Sequence, residues 1–466
     1  MKAIQDNNRL YNFLSPLVQF GTRCHYQSFT VRGLENLPTD GAYIIAPCHQ
    51  QALMEPLAVL CFAPKPPVFL ARADIFRKPL IRAILTFLKI LPVYRIRDGQ
   101  SNLTKNNEIF DKSRDVLLDG FPLCLMAEGR HNDRHHLLNM GKGMFRIAGE
   151  TQLKLGTHPL YIVPTGIDFD EYERPFSNLV VNIGKPIAVQ PYMSNWHDNE
   201  AVALNQMRQA LAEHLSPLMH DIRDEEHYDE IFTLCNILNP TMRRQKNLKN
   251  NAWNRFRMRQ EITALFDSKE ASKTQDSDAA MQRNSETLEK ARQYAVLCRE
   301  LHISQKALPD RWSLPLTLLS VAALAAFLAA TVLWAPLRWI VLFCLLSFPI
   351  LFIPTHLLIR SLIADPQFRS SVNFGVRFLL TILYTIVIAI VVACGDGLWM
   401  SRLADLGAWW GVVPIALAHI GALLEASVVN LLKAIARNSH LWLLHLLRPK
   451  KIKALKETLQ SISATL

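Results

Sequence analysis

Residues 42–56 read AYIIAPCHQQALMEP, an apolar run followed by a histidine, five intervening residues and a glutamate. The apolar run is short and is typical of a buried β-strand. His49 then follows the strand end, where an imidazole can take a proton from a hydroxyl, and Glu55 can fix its tautomer. A histidine and an acid without a serine or cysteine nucleophile in place indicate direct attack by a substrate hydroxyl. On spacing alone, a purely structural pair is the commoner interpretation.

Short apolar strands alternate with helical patterns through the following part of the chain. The predicted strands are 42–45, 68–71, 92–94, 123–126, 161–164 and 179–183. This alternation predicts an α/β domain over 25–222, with a mixed, largely parallel sheet flanked by helices. Sites in such sheets gather at the carboxyl ends of strands. The residues that follow apolar runs at that end are His49, Arg95, Glu128 and Thr165.

The rest of the 466 residues divides by composition. We predict an amphipathic interfacial helix over 1–24, although a helix packing on its own domain fits equally well. Residues 223–311 are polar and helix-prone and predict a helical linker, partly disordered between 267 and 285. A transmembrane region over 312–425 and a basic amphipathic tail over 426–466 complete the predicted domains.

Four apolar spans lie in the predicted transmembrane region, at 314–334, 339–359, 378–394 and 406–424. Spans of this kind predict a C-terminal bundle of about four transmembrane helices. Basic residues before the first span, between the second and third, and after the fourth predict that the catalytic domain and both termini are cytoplasmic. We therefore expect an integral membrane protein of a bacterial inner membrane.

The net charge of +11 has two candidate explanations. Beside long apolar spans, a basic balance favours anionic lipid surfaces and anionic substrates. The basic residues form no single stripe with interleaved aromatic residues, so no nucleic-acid partner is expected. The eight cysteines are scattered without metal-ligand or redox spacing, which indicates reduced thiols.

Two arginines, Arg95 and Arg97, follow the predicted strand 92–94 in a turn. A planar guanidinium can bind phosphate through two parallel hydrogen bonds, so this turn is a candidate phosphate site. A solvated surface turn with an Arg–Asp pair fits the segment equally well.

A second candidate segment, MAEGRH, follows the predicted strand 123–126. Gly129 would let the backbone approach a ligand closely, Arg130 could add to a phosphate site, and Glu128 could position the acceptor. Lys142, at the start of the next predicted helix, is a further cation. No metal site is predicted, because the nearby histidines lack convincing ligand spacing; they are His131, His135 and His136.

The four segments in order resemble the glycerolipid acyltransferase family, which includes glycerol-3-phosphate and 1-acyl-glycerol-3-phosphate acyltransferases. They are CHQQALME at 48–55, PVYR at 92–95, MAEGR at 126–130 and IVP at 162–164. The resemblance covers residues 25 to 220. The family usually has an Asp after four intervening residues, whereas Glu55 follows His49 after five. Ala127 stands where the family usually has Pro.

The resemblance implies direct acyl transfer in phospholipid biosynthesis. His49 would act as general base on a hydroxyl of glycerol-3-phosphate or lysophosphatidate, oriented by Glu55. The substrate-binding residues would be Arg95, Arg97, Glu128, Gly129, Arg130 and Lys142. No cofactor is implied, and the acyl donor would be acyl-CoA or acyl-carrier protein, the latter a possible protein partner. Two alternatives stay open: an acyltransferase for another lysolipid, and a catalytically inactive lipid-binding or transport protein.

Overall fold

The computed structural model describes most of the chain: residues 3–94, 105–126, 128–130, 134–171, 177–266, 277–305, 357–394 and 431–465, with scattered helical positions between 315 and 329. The chain forms two compact units. The first unit comprises Met1–Glu225, Leu248–Thr263 and Pro366–Ser371. The second unit comprises Glu226–Asn247, Ala264–Asp365 and Val372–Leu466.

One β-sheet forms the centre of the first unit. Its strands, within the described residues, are β1 Ser28–Arg32, β2 Ala42–Pro47, β3 Val68–Arg72, β4 Ile90–Val93, β5 Leu123–Cys124, β6 Leu160–Phe169, β7 Asn178–Ile183 and β8 Ile187–Ala188. Their order is β1-β7-β6-β2-β5-β3-β4, and β8 pairs with β6. The β6–β7 and β6–β8 pairs are antiparallel and the other pairs are parallel. The mixed, largely parallel sheet is therefore as predicted.

The helices with defined bounds are α1 Arg9–His25, α2 Met54–Phe62, α3 Pro79–Phe87, α4 Lys105–Leu118, α5 Gly143–Leu155, α6 Met193–Asp198, α7 Glu200–Leu215, α8 Tyr228–Gln245, α9 Ala252–Phe266, α10 Ser277–Glu300, α11 Pro366–Cys394 and α12 Pro449–Ser463. Residues 431–447 are also helical. In the first unit the helices flank the sheet, as the alternating pattern predicts.

Strand β2 lies inside the sheet, between β6 and β5. Every residue of β2 is buried, so both of its faces are covered. A strand covered on both faces is apolar at successive positions instead of alternating, which explains the continuous run in the sequence. Helix α4 packs against β2 and contributes to this cover with buried Ile109, Val116 and Leu117. The strand end that carries His49 is thus fixed by a rigid core.

Helix α1 is amphipathic and only partly covered by its own domain. Tyr11 is buried and meets the Phe87 ring edge to face, at 6.1 Å between centroids. Four large apolar side chains of the helix are exposed: Leu10, Phe13, Leu17 and Phe20. An interfacial role for this helix stays a prediction.

Helix α9 is held against the carboxyl end of β6 by ion pairs. Arg259 binds both Asp168 and Asp170, and Arg255 also binds Asp170. Phe256 of the same helix is fully buried in a cluster with Val180 of β7. This arrangement places a buried charge network directly beside the strand that neighbours β2.

In the second unit, α8, α10 and α12 pack together. The side chains buried on these helices are mostly apolar, and ion pairs link the helices at their surfaces. Arg292 of α10 binds Glu230 of α8 at 2.7 Å, and Lys451 of α12 binds Glu300 of α10 at 2.6 Å. The polar region expected as a linker therefore contributes two packed helices.

The predicted transmembrane bundle is wrong for the part of the chain that the structure describes. No helix there is both long enough and apolar enough to cross a bilayer. The integral-membrane localisation, which rested on the same spans, is likewise not supported. The other predicted spans, 314–334, 339–359 and 406–424, lie largely outside the described residues.

Candidate active site

The candidate catalytic loop begins where β2 ends. The N–H of Cys48 donates to the carbonyl of Thr165 on β6 at 3.1 Å, which continues the strand pairing by one residue. The Cys48 thiol packs against the Ile167 backbone, accepting from its N–H at 3.1 Å and donating to its carbonyl at 3.4 Å. Burial raises the pKa of this thiol well above its usual value, so Cys48 is a poor nucleophile and acts as an anchor.

His49 and Glu55 form a close pair. The Nδ1 atom of His49 lies 2.7 Å from Oε2 of Glu55, which is completely buried, whereas the histidine side chain is 14% exposed. The other carboxylate oxygen, Oε1, accepts the N–H groups of Gln50 and Gln51, each at 2.6 Å. Glu55 lies in the first turn of α2, where the helix dipole favours a negative charge.

This geometry fixes the orientation of the imidazole. Since both oxygens of Glu55 are engaged, the carboxylate cannot turn away from the ring. A carboxylate at Nδ1 favours the tautomer with the proton on that atom, so Nε2 is the nitrogen that can accept a proton from a substrate. The pair therefore has the arrangement of a general base and its orienting acid.

Glu128 lies directly behind the histidine and contacts its main chain. Its Oε1 accepts the N–H of His49 at 2.8 Å, and its Oε2 accepts the N–H of Leu138 at 2.9 Å. The side chain is buried, with 6% of the residue exposed. Glu128 thus ties the His49 backbone to the loop around Leu138. The sequence located this acid at the site, but it gave no sign of this contact.

Electrostatics tune both groups. Burial opposes a charged imidazole, but the charge and hydrogen bond of Glu55, helped by Glu128, raise the pKa of His49 above its ordinary value. Burial raises the pKa of Glu128 to about 7, although its two backbone hydrogen bonds and His49 act in the opposite direction. The pKa values of both groups are therefore raised, and shifted pKa values are typical of titratable groups at functional sites.

For the predicted phosphate-binding residues, the structure shows no hydrogen bond or ion pair with His49 or Glu55 among the described residues. Gly129 and Arg130 are exposed in the turn after Glu128, and Gly129 has a φ of +64°. Lys142 is exposed at the start of α5. Arg95 and Arg97 lie outside the described residues. The structure thus brings His49, Glu55 and Glu128 together, and the roles predicted for the basic residues stay predictions.

One contact of the catalytic loop was not foreseen from the sequence. The N–H of Leu53, between His49 and Glu55, donates to the hydroxyl of Ser371 at 3.0 Å. Ser371 comes from the first turns of α11, in the short segment that belongs to the first unit. No local pattern could reveal this contact, because the two residues are 318 positions apart.

Comparison with known proteins agrees with the chemistry of this site. Residues 28–168, less than half of the chain, match the protein-family model described as Acyltransferase. The match includes His49, Glu55 and Glu128, and it supports an acyltransferase domain in this part of the chain. A solved structure that is also similar is the 1-acyl-sn-glycerophosphate (LPA) acyltransferase PlsC from Thermotoga maritima. It is 18% identical, covers 45% of this chain and 83% of its own, and superposes with a TM-score of 0.31. No curated protein sequence matches the chain.

Proposed function

We propose that this protein transfers a fatty acyl group from a thioester to a hydroxyl of glycerol-3-phosphate or lysophosphatidate. The observation that carries the proposal is the 2.7 Å contact between His49 and the buried Glu55. It provides a general base in a fixed orientation at the end of a core strand, within the segment that matches the acyltransferase family model.

In the proposed reaction, His49 Nε2 takes the proton of the acceptor hydroxyl as its oxygen attacks the thioester carbonyl carbon. The C–O bond forms and a tetrahedral intermediate carries the negative charge. The C–S bond then breaks, and the imidazolium returns the proton to the departing thiolate. The products are an ester and a free thiol, and no covalent enzyme intermediate is formed. Glu55 stabilises the imidazolium during both steps without itself taking the proton.

The acceptor phosphate requires positive charge near the base. We propose that Arg95, Arg97, Arg130 and Lys142 provide it, since guanidinium and ammonium groups are the usual phosphate ligands in proteins. The exposed position of Arg130, two residues from the buried Glu128, fits this role. Glu128 would then act mainly by positioning the His49 main chain, with the acceptor bound beside it.

The test is a rate assay with the purified full chain and a panel of acceptors. The donor is a labelled long-chain acyl thioester, of either CoA or acyl-carrier protein. Glycerol-3-phosphate and lysophosphatidate represent the plain phosphate head group, and lysophosphatidylcholine represents a substituted one. We expect turnover with a plain phosphate acceptor, and we expect His49→Ala to lose at least about a hundredfold in rate.

The matched control is His197→Ala, because His197 is exposed on α6 and lies outside the matched segment. It should keep the full rate. A preference for the choline head group would identify the acceptor as another lysolipid. Undiminished turnover by His49→Ala would refute the mechanism.

A further inference from the structure

A second cluster of titratable side chains lies in the same unit as the candidate active site. His135, Asp168 and His220 are all buried, and each offers one ligand atom within 4.8 Å of the others. They come from three separate segments: the loop before α5, the end of β6, and the stretch after α7. All three segments belong to the first unit.

We propose that His135, Asp168 and His220 bind a zinc ion. Imidazole nitrogens and a carboxylate oxygen are the ligands that Zn²⁺ takes in proteins beside thiolates. The Nδ1 atom of His135 lies 3.9 Å from Oδ1 of Asp168. Tetrahedral ligands about 2.0 to 2.1 Å from zinc lie about 3.4 Å apart, so the three ligand atoms, which lie within 4.8 Å of one another, would have to close by up to about 1.4 Å through side-chain rotations. A water molecule would take the fourth position.

Two of the proposed ligands, Asp168 and His220, already make a second contact that sets the orientation of the side chain. Arg259 binds Oδ2 of Asp168, while Oδ1 is the oxygen nearest His135. Thr263 bonds Nε2 of His220 at 2.9 Å, so His220 would coordinate through Nδ1. The two imidazole rings lie 4.7 Å apart between centroids. Such outer contacts orient ligands in known metal sites, and both partners belong to α9.

The arrangement also opposes cation binding in one respect. The guanidinium of Arg259 is a positive charge beside the cluster, and a buried ion-pair network without metal is the competing explanation. In that case the two histidines would merely fill space around the pair formed by Arg259 and Asp168. The two explanations differ in a measurable quantity, the zinc content of the protein.

The zinc site would stabilise a loop that reaches the catalytic base. The carbonyl of His135 accepts the N–H of Ile222 at 2.8 Å, and the N–H of Leu137 donates to Asp221 at 3.0 Å. The next residue, Leu138, donates its N–H to Glu128. The metal would thus have a structural role. It would stabilise the loop whose Leu138 N–H binds Glu128, and it would take no part in acyl transfer.

The experiment uses the full chain, stripped with a chelator and then dialysed against Zn²⁺. We expect about one zinc per chain by mass spectrometry of the metal, and a higher thermal midpoint with zinc than without. At a limiting zinc concentration, the variants His135→Gln and His220→Gln should each bind about tenfold less zinc per chain than the wild type, or still less. His197→Gln, at an exposed histidine of the same unit, is the control and should bind as the wild type does.

Co²⁺ provides a second measurement that does not depend on the folding of any variant. Bound to the wild type, it should show the intense visible bands of a tetrahedral nitrogen and oxygen site. Wild-type protein that takes up no zinc after reloading would overturn the proposal. Zinc uptake by both ligand variants equal to that of the control would overturn it too, because the metal would then be bound elsewhere. Neither result depends on whether the protein transfers acyl groups.

Discussion

Replacing Glu55 by glutamine tests the catalytic pair with the smallest possible change. The side chain is completely buried and keeps its length. The amide oxygen can still accept the N–H groups of Gln50 and Gln51, which now approach Oε1 at 2.6 Å. The amide nitrogen must then face Nδ1 of His49. Because an amide N–H₂ can only donate, Nδ1 must accept, and the ring proton moves to Nε2.

A proton on Nε2 removes the base from the substrate side of the ring. General-base catalysis contributes about 10² to 10⁴ in rate, equivalent to about 3 to 5 kcal/mol of transition-state stabilisation. We expect Glu55→Gln to lose this factor in kcat while the KM for the acceptor changes little. Because hydrogen bonds to a neutral amide are weaker than those to a carboxylate, the free energy of unfolding should fall by about 1 to 3 kcal/mol.

The assay is the initial rate of labelled acyl transfer, with circular dichroism to confirm folding. Glu35→Gln is the matched control, because it makes the same chemical change at an exposed glutamate of the same unit. It should leave kcat unchanged. If folded Glu55→Gln keeps more than about a tenth of the wild-type kcat, the carboxylate does not set the tautomer and the argument fails.

Three further predictions follow from the same unit. Since His49 must be neutral to accept a proton and its pKa is raised, kcat/KM should increase with pH, with a midpoint above 6.5; a midpoint below that value in a pH–rate profile would contradict this. The pKa of Glu128, raised to about 7, favours the protonated carboxyl in the folded state, so its contribution to stability is present below pH 4.5 and is lost as pH rises through 7. Chemical denaturation should be measured for the wild type and Glu128→Gln between pH 4.5 and 7. The difference between their free energies of unfolding should change by up to about 3 kcal/mol over this range, and a difference that stays constant with pH would refute the argument. A Cβ at Gly166 would lie 2.0 Å from the Leu218 carbonyl oxygen, so Gly166→Ala should destabilise by about 1 to 3 kcal/mol, whereas Gly143→Ala, with its nearest neighbour at 3.7 Å, should cost less in the same denaturation assay.

The sequence predicted that His49 and Glu55 pair because both residues are close along the chain, whereas their catalytic role stays a prediction. Six positions separate His49 from Glu55, and the apolar run before them is a reliable sign of a buried strand. The alternation of strands and helices likewise predicted the sheet, since burial on both faces leaves a strong local pattern. These features depend on neighbouring residues and can therefore be read from a single sequence.

Features that depend on distant residues were missed. The two hydrogen bonds of Glu128 to main-chain N–H groups, one of them 79 positions away, were not expected, and its predicted role beside the acceptor stays a prediction. The cluster of His135, Asp168 and His220 has no local spacing, because the three residues come from three separate segments of the chain. The transmembrane prediction is contradicted on other grounds: among the helices that the structure describes, none is both long enough and apolar enough to cross a bilayer.

The unusual acid of the catalytic pair has a geometric explanation. The resembled family usually has an aspartate after four intervening residues, whereas here a glutamate follows after five. In this chain the acid lies inside the first turn of α2. The extra methylene of Glu55 then lets the carboxylate reach Nδ1 of His49 at 2.7 Å while it accepts two N–H groups of the loop. Aspartate at position 55 would withdraw the carboxylate from the ring by about one bond length, ~1.5 Å, which is enough to break a hydrogen bond.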